Sequence, residues 1–183
     1  FEIIFNLGYT STSYGSPQGA VFLNFTRDYY YYYPDFVPSQ AALDLYQSGD
    51  QRYGAYFRTL QTGYSHQLSC PLLVKYYGNE GLIELNIYHR NMPKILRLAE
   101  QYLIRAEAYC RNGSYAKASA DLTTLRKSRF TTGGNLSVNE SNWLETISAE
   151  RVRELYMEGF RLQDLKRWHM GFERKDQTSC VKE

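Results

Sequence analysis

Five consecutive tyrosines, Tyr29 to Tyr33, closed by Pro34, are the first residues in this chain whose type and spacing suggest chemistry. The chain holds 18 tyrosines against 9 phenylalanines and 2 tryptophans, an excess of one aromatic type that core packing alone does not demand. A tyrosine joins an apolar ring to a polar hydroxyl, which suits surfaces that are dry on one side and wet on the other. Sugars have the complementary build, with CH-lined faces that stack and hydroxyls that hydrogen-bond. Successive side chains of an extended segment alternate faces, so Tyr29, Tyr31 and Tyr33 would share one side and Tyr30 and Tyr32 the other. Two readings stay open: a carbohydrate-binding platform made of Tyr29, Tyr30, Tyr31, Tyr32 and Tyr33, or a cover for a core or for another part of a longer protein.

Catalytic constellations are weak. The chain has no GxGxxG, no Walker-type phosphate loop, no GxSxG and no HExxH. His66, His89 and His169 are scattered, and none sits four residues from a second ligand. Glu80 and Glu84 have a spacing that could pair two carboxylates for glycoside hydrolysis, but their setting is loop-rich. His89-Arg90-Asn91 could meet an anion or a sugar hydroxyl, or could be a solvated loop. Cys70, Cys110 and Cys180 form an odd set without CxxC spacing, which argues against a zinc site or a disulfide framework. Cys110 reads as a buried thiol, and Cys70 and Cys180 could pair only if the fold joins them. We therefore expect no catalytic residue, no metal and no cofactor. The net charge of +2 is spread among acids and bases, so nothing points to nucleic acid. No apolar run approaches the roughly 20 residues that span a bilayer.

The elements that must position these residues are mainly helical. Leu96, Ala99, Leu103, Ala106 and Cys110 recur at three- and four-residue steps, which puts them on one helix face with Arg97, Glu100, Glu107 and Arg111 largely off it. Gly113 supplies the stop. The following helix carries small residues at Ala116, Ala118 and Ala120, then Leu122 and Leu125, so residues 94–129 form a close helical hairpin. Its spacing fits the tetratricopeptide pattern in a single copy. Ser137-Val-Asn-Glu140 looks like a capping box, which starts a helix near residue 138. Leu144, Ile147, Val152, Leu155 and Tyr156 supply the buried stripe of the C-terminal helices, 138–170. Glu150, Glu154 and Glu158 stack one turn apart, an arrangement that needs cations, and Arg151, Arg153 and Arg161 are at hand. Arg161 has the three-residue spacing to pair with both Glu158 and Asp164. Glu154, Glu158, Arg161, Asp164 and Arg167 are thus the expected ion-pair network, a structural lock and not a catalytic site. Upstream, Phe1–Phe5 and Ala20–Phe25 read as short strands, Val37–Ser48 as a helix, and Leu72–Tyr76 as a strand within long loops. The 183 residues suit one domain.

Two helical blocks carry a family resemblance. Arg97-Leu-Ala-Glu-Gln-Tyr-Leu-Ile-Arg-Ala-Glu-Ala-Tyr109 is followed by a glycine turn. Then Glu150-Arg151 to Trp168 reads ER-x-x-EL-x-x-EG-x-R-x-x-DL-x-RW. Together they resemble the C-terminal part of the SusD/RagB family, outer-membrane lipoproteins that capture nutrients, mostly glycans, in Bacteroidetes-type bacteria. The resemblance covers roughly residues 37 to 170, and Asp50-Gln-Arg52 resembles the family's Asp-x-Arg. It implies a SusD-like helical domain with a tetratricopeptide-like hairpin, short strands and long loops. It also implies a non-catalytic, surface-exposed protein that binds oligosaccharide and hands it to a TonB-dependent, SusC-like outer-membrane transporter. Family glycan sites are shallow aromatic platforms, a carry-over to the tyrosines by region only. Family members are much longer, and this chain has no initiator Met, signal peptide or lipidation cysteine at its start. It therefore reads as a C-terminal portion, with any lipid anchor outside it. A helical-repeat scaffold that binds a peptide or protein is the alternative, and a glycoside hydrolase the third reading.

Overall fold

The computed structural model describes residues 2–9, 15–26, 30–64 and 68–173. In chain order the elements are β1 (Ile3–Asn6), β2 (Phe25–Thr26), β3 (Tyr31–Tyr32), α1 (Gln40–Leu43), α2 (Gln51–Tyr56), β4 (Phe57–Gln61), β5 (Ser69–Leu73), α3 (Glu80–Ile83), β6 (Lys94–Arg97), α4 (Leu98–Arg111), α5 (Tyr115–Lys127), α6 (Trp143–Glu154) and α7 (Arg161–Arg167). The strands form three two-stranded sheets, β1 with β6, β2 with β3 and β4 with β5. The fold is mainly helical, as the periodicity predicts. The described residues divide into two compact units, one of 2–4, 44–52 and 96–173, the other of 5–9, 15–26, 30–43, 53–64 and 68–95.

The helical unit is built around the α4–α5 hairpin. Leu98–Arg111 contains no glycine or proline and one β-branched residue, so nothing interrupts the helix. It stops at Gly113, whose φ of +69° is a left-handed conformation that costs glycine little. The Ser114 N–H reaches back to the Tyr109 carbonyl and the Gly113 N–H to that of Cys110, which satisfies the last turn in the Schellman manner. Ala99, Leu103, Ala106 and Cys110 of α4 then meet Ala118, Leu122 and Leu125 of α5, with Val138, Ile147, Leu155 and Trp168 completing the core. Full burial of a leucine such as Leu103 or Leu122 stabilises by about 1.5–3 kcal/mol.

Several expectations for this unit need correction. Leu96 belongs to β6 and is exposed, so the α4 stripe starts at Ala99. Arg97, Glu100 and Glu107 are buried, because α4 packs on α6 as well as on α5 and its polar flank is enclosed. Of the three alanines only Ala118 lies in the hairpin contact, while Ala116 and Ala120 are exposed. The helix expected near 138 starts at Trp143. Val138 is buried, and its N–H donates to Ser119 Oγ at 3.0 Å, which ties that residue to α5. Asn139, not Ser137, then accepts the N–H groups of Ser141 and Asn142 at 2.9 and 3.2 Å. The 138–170 block is also broken. Met157 and Gly159 take φ values of +58° and +92°, so Glu158 stands outside α6 and is not stacked on Glu154. A side chain at Gly159 would meet nothing within 4 Å, hence its role is the turn itself and not a close helix contact.

The other unit holds the short strands. β4 and β5 pair antiparallel from Phe57↔Leu73 to Gln61↔Ser69, with Phe57, Cys70, Leu72 and Leu73 buried. β5 lies three residues upstream of the expected 72–76, and β4 was not anticipated, since Phe-Arg-Thr-Leu-Gln has few strand formers. Ala20–Leu23 forms turns in place of a strand. The Ala20 N–H donates to the Pro17 carbonyl and the Leu23 N–H to that of Gly19, where a Cβ would collide with the Tyr76 carbonyl. The expected helix over 37–48 is reduced to Gln40–Leu43. Beyond it, the Leu45 carbonyl accepts from Arg153 Nη1 at 3.2 Å, so a tertiary partner takes an acceptor that a longer helix would use.

Candidate functional site

Tyr31 and Tyr32 of the tyrosine run pair with the residues just upstream of it. β2 and β3 pair antiparallel with Phe25 opposite Tyr32 and Thr26 opposite Tyr31. Tyr30, in the connection, takes φ +56° and is 76% exposed. The five tyrosines therefore do not form one extended strand, and alternation of faces applies only across Tyr31–Tyr32. Tyr29 lies outside the described residues. The Tyr32 ring packs against Phe25 with centroids 5.0 Å apart, and Phe25 in turn meets Tyr88 edge-on at 5.3 Å. Burial, then a hydrogen bond with Tyr77, pushes the Tyr32 hydroxyl well above the usual phenol range.

Tyr33 turns to a different neighbour. Its ring stands edge-on to Tyr64, centroids 5.6 Å apart and planes at 79°. This is a favoured geometry for two quadrupoles, worth about 0.5–1.5 kcal/mol beyond the area it buries. The Tyr64 hydroxyl donates to the Pro34 carbonyl at 2.6 Å, which holds the second ring in place. Gly63 makes the pair possible: its N–H donates to the Tyr32 carbonyl at 2.9 Å, and a Cβ there would occupy the space of the Tyr33 ring. Tyr64 and Phe36 are exposed, while Tyr31, Tyr32 and Tyr33 are half-buried. Exposed and half-buried phenol rings of this kind can stack on a ligand with apolar faces and polar edges.

The charged residues do something else. Arg52, 3% exposed, donates from Nε and Nη2 to both Asp50 oxygens at 2.8 and 2.7 Å, and from Nη1 to Glu150 at 2.7 Å and Glu154 at 3.1 Å. Arg126 and Arg153 complete Glu150, at 3.1 and 2.6 Å. Glu154 also accepts from Arg129 at 3.0 and 2.9 Å and from Arg97 at 3.1 Å. Arg97 clasps Glu158 with two bonds of 3.0 and 2.7 Å, and both Arg97 and Arg129 reach Glu2. Burial alone would raise the Glu154 carboxyl, but hydrogen bonds and charge from Arg129, then the charges of Arg52 and Arg97, hold it down to about 2. Glu150 is likewise lowered against its burial, by Arg52 and Arg153.

A second hub lies at α7. Asp164 accepts from Arg151 at 2.7 Å and from Arg167 at 3.0 Å. Glu107 accepts from Arg167, from Arg111 at 2.9 Å and from the Trp168 indole at 3.0 Å. Of the residues expected in one network, Glu154 and Glu158 thus share the first hub and Asp164 and Arg167 the second. Arg161 does not bridge Glu158 and Asp164: its Nη1 donates to Ser148 Oγ at 2.8 Å, and Arg97 and Arg151 hold the two carboxylates instead. The turn at Met157–Gly159 removes the helical spacing on which that bridge depended. Guanidinium groups, with the Trp168 indole at Glu107, meet each of these carboxylates, which fits a structural role.

The remaining candidates are structural or peripheral. Glu80 opens α3, Glu84 caps its end, and both are exposed. His89 is buried, Arg90 donates to the Gly15 carbonyl, and Asn91 donates to the Tyr76 carbonyl at 2.9 Å, so His89-Arg90-Asn91 is neither a solvated loop nor an open anion site. Cys110 is buried, and Cys180 and His66 lie outside the described residues. The sequence does not link Gly63 and Tyr64 to the tyrosine run, nor His89 to Phe25. A Gly-Tyr pair gave the only local signal, and nothing in the sequence joins it to Tyr33.

Comparisons with known proteins agree with this architecture. Over 76 residues the chain is 41% identical to the starch-binding protein SusD of Bacteroides thetaiotaomicron, a stretch covering 42% of this chain and 13% of that protein. A SusD-like carbohydrate binding protein from Bacteroides vulgatus superposes with a TM-score of 0.71 at 26% identity, covering 92% of this chain and 35% of the other. A SusD superfamily protein from Bacteroides fragilis shares the fold at a TM-score of 0.68 and 16% identity, over 90% of this chain and 40% of its own. The chain thus spans well under half the length of these relatives. A model of the SusD family matches residues 20–179, most of the sequence, and the chain belongs to the SusD family.

Proposed function

We propose that this chain takes part in non-catalytic capture of oligosaccharide at a bacterial cell surface, with the tyrosine surface as its contact face. The observation that carries this is the exposed Tyr30 and, three residues on, the edge-on Tyr33–Tyr64 pair, rings whose faces and hydroxyls suit a sugar. Relatives described as starch-binding and carbohydrate-binding point to the same ligand class. Tyr29, Tyr31 and Tyr32 belong to the same proposed platform. In this reading the ligand passes to a TonB-dependent, SusC-like transporter, and a lipid anchor holds the protein at the outer membrane. Among the described residues no helix is long and apolar enough to cross a membrane.

Calorimetry of the intact protein with amylopectin, β-glucan, mannan and host glycans tests this. Tyr30→Ala and Tyr64→Ala are each expected to weaken binding about tenfold, or about 1.4 kcal/mol. Because stacking is not a contact between charges, affinity should persist when salt is raised from 0.1 to 1 M, which shortens screening from about 10 to 3 Å. No new reducing ends should appear. Failure of the wild-type protein to bind any glycan in the panel would remove the proposal.

A further inference from the structure

His89 ties together the part of its unit that carries the tyrosines, and it uses both ring nitrogens. The Phe25 N–H donates to Nε2 at 2.9 Å, and Nδ1 lies 3.3 Å from the Tyr77 carbonyl. An amide N–H cannot accept and a carbonyl cannot donate, so this pair of partners requires a neutral ring with its proton on Nδ1. The backbone of His89 is equally committed. Its carbonyl accepts from the Gly19 N–H at 3.3 Å and from Asn91 Nδ2 at 3.1 Å, and its φ is +61°. Glycines press on it from two sides: a Cβ at Gly19 would lie 3.0 Å from the His89 Cβ, and one at Gly78 would lie 3.1 Å from the His89 nitrogen. The residue is 5% exposed and has little room to shift.

Phe25 is where this hold has consequences. Among the described residues it pairs with Tyr32 in a ladder of two residue pairs, Phe25↔Tyr32 and Thr26↔Tyr31, beside which the Tyr33 N–H reaches the Leu23 and Asn24 carbonyls. Two-stranded hairpins are marginal by themselves; the Gly63 N–H holds the β3 side through the Tyr32 carbonyl, and the bond from the Phe25 N–H to His89 holds the β2 side. We infer that His89 is the positioning residue for the tyrosine hairpin, and that protonating its ring releases β2 and lowers glycan affinity. The affinity half of this inference rests on the proposed glycan reading.

Protonation would place a hydrogen on Nε2, and two donors would then face each other across 2.9 Å. Burial already pushes the imidazole below its usual 6.5, partly offset by the Tyr77 carbonyl. Among the described residues, the ionisable groups on the surrounding segments are the phenols of Tyr32, Tyr76, Tyr77 and Tyr88, the cations Lys75, Arg58 and Arg90, and the exposed carboxylates Glu80 and Glu84 of α3. The hydrogen-bond partners of the imidazole are an amide and a carbonyl, with no carboxylate to favour an imidazolium. The neutral ring belongs to the closed state, so its contribution is complete above about 6.5 and is lost as pH falls from there toward the lowered value of the closed state. Within that window the open fraction rises by up to about tenfold per pH unit.

The test follows the Phe25 amide by hydrogen exchange, corrected for intrinsic rate, while the His89 ring is titrated by NMR between pH 7.5 and 5. Protection at Phe25 should fall by up to about tenfold per unit, in step with a ring that titrates below 6.5. Protection that stays constant while the ring titrates, or a ring that titrates at or above 6.5, would overturn the inference. His89→Gln keeps a carbonyl acceptor without the titration, so it should retain protection at pH 7.5 and lose the pH dependence. If that variant does not fold, the wild-type titration alone decides. Amylopectin affinity at pH 7.5 and 5.5 should fall together with Phe25 protection, and unchanged affinity with an opened Phe25 overturns the positioning role. If no glycan binds at either pH, the glycan reading fails, and the exchange result still decides whether His89 holds the hairpin.

Discussion

Around Glu150 and Glu154 the molecule encloses ions, while around Tyr30 and Tyr64 it leaves rings open, and the two regions obey different costs. A carboxylate with no exposure, as at Glu150 and Glu154, is tolerable only because guanidinium groups from Arg52, Arg97, Arg126, Arg129 and Arg153 are already in place. These arginines come from segments far apart in sequence, so the charges specify how residues 44–52, 96–98, 126–129 and 150–158 meet. A tyrosine carries no such obligation. Its ring loses little by being half-exposed, and its hydroxyl is content with water or a backbone carbonyl. The ionic region is therefore held by its own mutual partners, whereas the aromatic region leaves rings exposed.

The largest effect should come from removing a central cation. Arg52→Ala leaves Asp50, Glu150 and Glu154 short of a partner in a closed space, and should cost about 3–5 kcal/mol in a denaturant titration. Arg52→Lys should not restore the loss, since an ammonium cannot reproduce a fork that meets three carboxylates. A change within error would show the ionic region to be as tolerant as the aromatic one. Acid should act on the same place. Because the folded Glu154 carboxyl is held at about 2 against its usual 4.5, its contribution is present above about 4.5 and is lost as pH falls toward 2. Urea midpoints should therefore drop steeply below pH 4.5, and Glu154→Gln should start lower and fall less steeply.

Smaller effects sharpen the contrast. Gly63→Ala should drive the Tyr33 ring off Tyr64. We expect a loss of about 1 kcal/mol in stability and a clear loss of glycan affinity. Unaltered affinity in calorimetry would mean the pair is packing and not platform. Arg161→Ala should be the mildest, about 1 kcal/mol or less, since its exposed side chain gives up a bond to Ser148 and leaves no carboxylate alone. A loss as large as that of Arg52→Ala would mean that Arg161 serves the ionic hubs after all.

Local pattern was enough where neighbours in sequence are neighbours in space. The α4–α5 hairpin, its Gly113 stop and the Ala99–Cys110 face follow from three- and four-residue spacing, and the ER-x-x-EL and RW blocks marked the family. The sequence also identified Glu154, Glu158, Asp164 and Arg167 as charges in need of partners. It could not assign those partners, because Arg161 is close to Glu158 and Asp164 along the chain while Arg97 and Arg151 are close to them in space. A run of five tyrosines announced an aromatic surface and nothing of its shape. Tertiary structure decided that Tyr30 turns outward, that Tyr33 crosses to Tyr64 over Gly63, and that His89 grips Phe25 from 64 residues away. The physical reason is the range of the forces. Helix periodicity and turn conformation are set by bonds within a few residues, whereas a buried charge or a lone imidazole is satisfied by whatever partner the finished chain brings within about 3 Å.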